Sequence, residues 1–211
     1  MSADPTPVVI AGAGKLGKLL FDCLDGDARW RAVGYIDDGR AGETCFGLPV
    51  FASDAYDTRL TRKAFMAIGY PAMRRQMVAK LAPLGLDWCR FVDRRAMVGR
   101  HAELGEGAMV MSFAMISSGV RLGAFSYVSA YSHVGTGSVL GDYCSVLPSA
   151  SIGETVIGND CLIGMHSACL DHAVIGDGVT VAPFTLVRRD VPAGALIAGS
   201  PARIVRRRDE G

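Results

Sequence analysis

The chain has no CxxC pair, no run approaching the roughly 18 apolar residues of a membrane-spanning helix, and almost no net charge. Each absence removes a class of function. Its six cysteines (Cys23, Cys45, Cys89, Cys144, Cys161, Cys169) fall at irregular spacings, so neither a zinc site nor a disulfide framework is indicated, and a reducing cytoplasm suits them. The opening MSADPTPVVIAGAG lacks the basic region and long apolar core of a secretory leader, so the expected location is cytoplasmic and away from membranes. With 22 Lys and Arg against 21 Asp and Glu, the net charge of +1 provides no field for gathering nucleic acid. The arginines of RIVRRRDEG read most simply as a solvated end. Histidine is scarce too: His101, His133, His166 and His172 are the only imidazoles.

What remains is apolar enough to fold. Half of the 211 residues are hydrophobic, sufficient for one large or two small domains with real cores. The stretch PVVIAGAGKLGKLLFDCLD predicts a buried strand over Val8–Ala11, a glycine turn, and a helix presenting Leu16, Leu19, Leu20 and Cys23 on one face. Gly12, Gly14 and Gly17 form GxGxxG, a spacing that lets backbone approach a phosphate at a helix N-terminus. A second strand, RAVGYIDD, ends in Asp37 and Asp38, about where a ribose-binding acid lies in a dinucleotide site. A plain tight turn is the alternative use of those glycines. AFMAI predicts a further strand (Ala64–Ile68), followed by a helix carrying Met73, Met77, Val78 and Leu81, and WCRFVD adds a short strand. The result is a Rossmann-like α/β sheet of about four parallel strands, too short for a complete dinucleotide domain. Its ligand would lie at the strands' carboxyl ends, against Gly12, Ala13, Gly14, Lys15, Asp37, Asp38, Ala67, Ile68 and Gly69.

Beyond residue 100 the period changes. Leu-Gly or Ile-Gly steps begin at Leu104, Leu122, Leu140, Ile157 and Ile175, at separations of 18, 18, 17 and 18 residues. Aliphatic residues recur about every six positions between them, which excludes an α-helix and fits short strands stacked as a three-sided solenoid. Cys144 and Cys161 take the same place in adjacent coils and read as a stacked, reduced pair. The period of six leaves the handedness open.

VVIAGAGKLGKLL, YIDD, AFMAIG, the IG coils and the ending VPAGALIAGSPARIV, in that order, resemble the hexapeptide-repeat sugar O- and N-acetyltransferases. The likeness is to those acting on sialic acids and nucleotide-linked amino sugars such as bacillosamine and perosamine. The resemblance implies residues 1–92 as a Rossmann-like nucleotide-sugar-binding domain and 93–211 as an all-β, left-handed parallel β-helix. It implies acetyl-CoA as acyl donor, a homotrimer, no metal, and a role in surface-polysaccharide or glycan biosynthesis. Direct attack on the thioester needs a general base, and imidazole suits it. The family's histidine stands five residues before the glycine of an IG step, which here is Thr136, followed by Gly137; a second family histidine aligns with Ser145. The candidate catalytic residues are therefore His133 as base, with Asp142 or an acid of the adjacent subunit as partner, His166 as the next imidazole, and then His172 with Asp171. His101, at the junction of the two parts, reads as structural. A zinc site of three imidazoles, as in hexapeptide carbonic anhydrases, does not match the spacing. For CoA the resemblance points to Gly164, Gly176, Ala182 and Arg188, with Arg189, Arg203 and Arg206 nearby, although arginines also solubilise the end of a solenoid. The competing readings are an NAD-linked oxidoreductase and a non-catalytic sugar-nucleotide-binding protein that has lost its histidine. The first leaves the repeat without a task.

Overall fold

The computed structural model describes residues 4–207. The chain divides into two units, one running to Gly69 and resuming over Met73–Cys89, the other made of Tyr70–Ala72 and the chain from Arg90 onward.

In the first unit, the β-branched run of β1 (Thr6–Ala11) is fully buried from Val8 to Ala11 and takes the middle of the sheet. It pairs in parallel with β2 (Trp30–Ile36) on one side and with a later strand, Lys63–Met66, on the other. Two strands lie between these in sequence: β3 (Thr44–Cys45) and β4 (Leu48–Phe51) form an antiparallel hairpin around Phe46 and Gly47, both with positive φ. With Lys63–Met66 as β5 and Asp87–Trp88 as β6, the spatial order is β3-β4-β2-β1-β5-β6. The sheet thus has six strands where four were expected. The hairpin escapes a pattern reading because it is short and its turn carries Phe-Gly in place of the usual Asn-Gly or Asp-Gly. WCRFVD also divides: Trp88 ends this sheet, while Phe91–Val92 opens the second unit's first coil.

Helix α1 (Lys15–Leu24) turns a different face inward from the one predicted. Leu20 is buried as predicted and Leu16 and Cys23 are half-buried, but Gly17 and Leu24 complete the buried face and Leu19 is 44% exposed. Gly17 sets this rotation, because a Cβ there would stand 2.0 Å from the Gly12 carbonyl oxygen. Helix α2 (Pro71–Leu81) buries Leu81, leaves Met77 and Val78 half-buried, and exposes Met73.

The second unit is a parallel β-helix with two-residue strands on three faces. The first face runs from Phe91–Val92 through Tyr127–Val128 to Thr180–Val181, the second from Met97–Val98 through His133–Val134 to Leu186–Val187, and the third from Glu103–Leu104 to Val174–Ile175. Alternation along each strand sends its second residue inward. Val110, Ile116, Val128, Val134, Val146 and Ile152 are accordingly fully buried, and the predicted core is the observed one. The single 17-residue spacing is localised to the corner between Ile152 and Ile157, where the two strands stand one residue closer than elsewhere. Cys144 and Cys161 form no disulfide; each thiol donates to a corner carbonyl of the next coil, Gly158 at 2.9 Å and Gly176 at 3.1 Å. An antiparallel pair, Ala195–Ala198 with Arg203–Arg207, follows the last coil.

Candidate active site

The predicted N-terminal residues do come together. Register pairs Ala11 with Ile36 and with Met66, so the segments that follow β1, β2 and β5 leave the sheet side by side. Gly12 N–H donates to Ile36 and Ala67 N–H donates to Ala11, which closes the cluster. Gly12 has φ +107°, and a Cβ there would stand 2.9 Å from the Ala67 carbonyl oxygen, so both conformation and space call for glycine. Gly14, the N-cap of α1, faces open space: a Cβ there would meet nothing within 4 Å. No side chain caps this helix and no acid occupies its first turn, so its free N–H groups and positive end of the dipole are available to an anion.

Asp37 is engaged within the unit. Its carboxylate accepts from Ala13 N–H at 2.9 Å and from Gly39 N–H at 3.1 Å, which ties the glycine turn to the end of β2. Arg40, not singled out from the sequence, donates to the Ala13 carbonyl at 2.7 Å and pairs with Glu43. Asp38 accepts from Ser53 N–H at 2.7 Å and pairs with Lys80 of α2 at 2.5 Å. That lysine lies 42 residues away in sequence, a distance no local motif spans. Chiefly through the Lys80 bond, then that of Ser53, the Asp38 carboxyl is lowered from 3.8 to about 2.

A depressed carboxyl contributes stability above its ordinary range and loses it as pH falls through the folded value. Lys80→Ala is expected to move the Asp38 midpoint up toward 3.8, as read by NMR titration. The stability difference from wild type is expected to stay below about 1 kcal/mol, since the pair is exposed, and to vanish as pH falls to about 2.

In the β-helix, His133 opens a second-face strand and is half-buried between Met115 and Ser151 of the adjoining coils. Its Nε2 lies 3.3 Å from Ser117 Oγ. Beside it a groove of about 450 Å³ runs over Ser151, Gly153, Ala168 and Leu170 to Asp171. The structure therefore brings His133 and Asp171 to one groove. Asp171 accepts from Glu154 N–H at 3.0 Å.

Asp142 has other partners. It belongs to a corner column in which Ala124 N–H donates to Asp142, Asp142 N–H to Asn159 Oδ1, and Asn159 N–H to Asp177, so its carboxylate fastens one coil to the next. His166 stacks on Phe184 at another corner, with ring centroids 5.0 Å apart. His172 is exposed at a third, donating its N–H to Glu154. Among the described residues no group of three or more His, Cys, Asp or Glu is arranged to hold a metal ion.

Gly164 and Gly176 are corner glycines packed on the following coil, where a Cβ would meet Val181 O or Ala193 N at 2.5 Å. The Ala182 carbonyl accepts from Ser167 Oγ. Arg188 lines a cavity of about 430 Å³ near the last coil with Arg189, Asp190, Arg203 and Ile204.

Comparison with known proteins fits this geometry. Residues 7–81 match the PglD N-terminal domain family, and residues 154–189 match the bacterial transferase hexapeptide (six repeats) family. The acetyltransferase domain of PglB from Neisseria gonorrhoeae FA1090, solved with acetyl coenzyme A, is 25% identical with a TM-score of 0.87, the match covering 95% of this chain and 100% of that one. In both of its parts the chain is similar to the hexapeptide-repeat acetyltransferases. WeeI from Acinetobacter baumannii AYE is similar to this chain to the same degree, at 25% identity, 95% and 100% coverage and a TM-score of 0.87. A His-to-Asn variant of perosamine N-acetyltransferase from Caulobacter crescentus, solved with CoA and GDP-perosamine, has the same fold at 23% identity and a TM-score of 0.87, covering 94% of this chain and 96% of that one. No curated protein matches significantly.

The β-helix has the left-handed parallel fold of these similar structures. No helix among the described residues is long and apolar enough to cross a membrane. Where the family resemblance leads one to expect histidines, Thr136 is exposed at the corner after the His133 strand, and Ser145 is fully buried on the first face.

Proposed function

We propose that this acetyltransferase moves an acetyl group from acetyl-CoA to an amino or hydroxyl group of a nucleotide-linked sugar or a sialic acid, in surface-polysaccharide or glycan biosynthesis. The observation that carries the reading is the match, over nearly the whole of both chains, to an acetyltransferase domain solved with acetyl coenzyme A. A relative of the same fold was solved with CoA and GDP-perosamine, which supports a nucleotide sugar as acceptor. The nucleotide belongs at the Gly12–Lys15 turn, where the uncapped N-terminus of α1 meets the diphosphate.

His133 is the general base. As the acceptor nitrogen or oxygen bonds to the thioester carbonyl carbon, the imidazole takes its proton. The C–S bond then breaks and CoA leaves as the thiol or thiolate. Most of the rate enhancement comes from holding two ligands in register, with the proton transfer contributing the rest. Asp171, which shares the groove, is the acid best placed within one chain to favour the imidazolium; Asp142 serves the corner column. Arg188 and its neighbours face the phosphates of CoA. The chain works as a cytoplasmic homotrimer, and exposed Val156 and Val174 on the third face suit burial between copies.

A ligand that binds only the folded state raises the melting temperature. The expected result is a shift with acetyl-CoA and with one member of a panel of UDP-, GDP- and dTDP-amino sugars, and none with NAD. A shift with a nucleotide sugar alone would favour a binding protein, and a shift with NAD alone would overturn the assignment.

A further inference from the structure

On the second face of the β-helix, the residue that follows each strand lies in one column from coil to coil: Gly99, Ser117, Gly135 and Gly153, then Leu170 and Arg188. Close stacking accounts for the glycines. A Cβ at Gly99 would stand 2.8 Å from the Ser117 carbonyl carbon, one at Gly135 2.9 Å from Ile152 O, and one at Gly153 2.0 Å from Asp171 Oδ1. Glycine therefore suffices for this corner in the coil before Ser117 and in the coil after it. Ser117 departs from that pattern, and the departure gives its coil a hydroxyl that the backbone does not require.

That hydroxyl lies against the one imidazole of the neighbouring column. Met97, Met115, His133, Ser151, Ala168 and Leu186 open the second-face strands, each paired in register with the next. Ser117 N–H donates to the Val134 carbonyl at 2.9 Å, which fixes the serine to the strand that carries His133. From there Ser117 Oγ stands 3.3 Å from His133 Nε2 and is, among the described residues, the ring's hydrogen-bond partner. On the other side Ser151 and Ala168, the two smallest members of the column, leave the groove open. The imidazole thus has a polar contact toward the earlier coil and space toward the later ones.

We propose that Ser117 is a positioning residue for acetyl transfer: its hydroxyl accepts from the Nε2–H of His133, which fixes the ring plane and leaves Nδ1 as the basic nitrogen. The inference rests on the proposed function, in which His133 is the general base. The bond that one imidazole nitrogen makes decides the state of the other. Rotation of a histidine ring about its last bond is broad and nearly two-fold, so without Ser117 the half-buried ring samples unproductive orientations. During transfer the proton leaves the acceptor nitrogen or oxygen for Nδ1, while Nε2 keeps its own. The imidazolium then has both N–H groups, and Ser117 Oγ still accepts one of them. Loss of the Nδ1 proton to the departing thiolate or to water restores the base. The serine touches no reacting atom and forms no covalent bond.

The test is steady-state CoA release from acetyl-CoA with a panel of UDP-, GDP- and dTDP-linked amino sugars. It compares the full-length wild type with Ser117→Ala, Ser117→Gly, His133→Ala and the double variant His133→Ala with Ser117→Ala. Ser117→Gly installs the residue that the coils on either side already carry, so the corner folds. Both serine variants are expected to lower kcat roughly five- to tenfold, the scale of one hydrogen bond, with KM for each substrate within about twofold and an unchanged melting temperature. Adding Ser117→Ala to His133→Ala is expected to cost nothing further, since a positioning residue has no effect once the group it positions is gone. Serine variants at the wild-type rate beside a slow His133→Ala would overturn the role of Ser117 and leave the base assignment standing. A further loss of the same size in the double variant, or an acetyl group on Ser117 found by peptide mass spectrometry during turnover, would also overturn it. Full turnover by His133→Ala would remove the base and this inference with it, and a wild type that releases no CoA with any acceptor would overturn the transferase reading itself.

Discussion

His133→Ala is expected to lower the rate of acetyl transfer by about 10²- to 10⁴-fold while leaving acetyl-CoA binding and the melting temperature close to wild type. The size follows from what a positioned base contributes to acyl transfer, and the selectivity follows from where the ring sits. His133 points outward from a second-face strand whose partner, Val134, carries the core contact and is fully buried. Removing the imidazole therefore opens no interior cavity. Its contact with Ser117 Oγ is part-buried and between side chains, so its loss costs little. The measurement is a steady-state assay of CoA release alongside a binding titration. Unchanged turnover would remove His133 from the chemistry and leave His166 as the next imidazole to test.

The second large effect is structural. Gly17→Ala is expected to destabilise the N-terminal unit by roughly 3 kcal/mol, at the upper end of what overpacking costs. The added carbon would stand 2.0 Å from Gly12 O and 3.0 Å from Gly12 C, both backbone atoms that cannot swing aside. Helix α1 must then lift away from the turn that it packs against, and nucleotide-sugar binding should fall with it. Gly14→Ala provides the contrast. With open space around it and φ of −77°, alanine fits there, so stability is expected to hold while nucleotide-sugar affinity drops, because the methyl group would occupy the approach that the proposed function gives to the phosphate. Chemical denaturation followed by fluorescence, paired with a nucleotide-sugar titration, separates the two outcomes. A Gly17→Ala protein as stable as wild type would contradict the packing described for α1.

How far each feature can be read from sequence depends on whether its cause is periodic. The β-helix could be read because every coil repeats the same inward aliphatic position, and Val110, Val128 and Val146 are where the period of six puts them. The strand, glycine turn and helix at the N-terminus could be read because their residues are consecutive. The rotation of α1 could not, since Leu16, Leu19, Leu20 and Cys23 form a credible apolar face; the contact that selects Gly17, Leu20 and Leu24 instead is a backbone approach, invisible to hydropathy. Lys80 on Asp38 and Arg40 on the Ala13 carbonyl arise from tertiary placement and leave no motif. Corner residues were the hardest. A sequence does not announce that Asp142 fastens the coil before it through Ala124 N–H, nor that Phe113, Tyr131, His166 and Phe184 stand in one column, because the shared cause is a left-handed corner that disfavours those very side chains.

Acyl transfer from acetyl-CoA to a nucleotide-linked sugar is the proposed activity on which the other assignments depend. Its most direct test is mass spectrometry of products after the wild-type chain is incubated with acetyl-CoA and a panel of UDP-, GDP- and dTDP-linked amino sugars. The expected product is an acetylated nucleotide sugar formed in step with free CoA, and formed far more slowly by His133→Ala. Tight binding of a nucleotide sugar with no acetylated product and no CoA release from any member of the panel would contradict that activity and identify a binding protein built on an acetyltransferase fold.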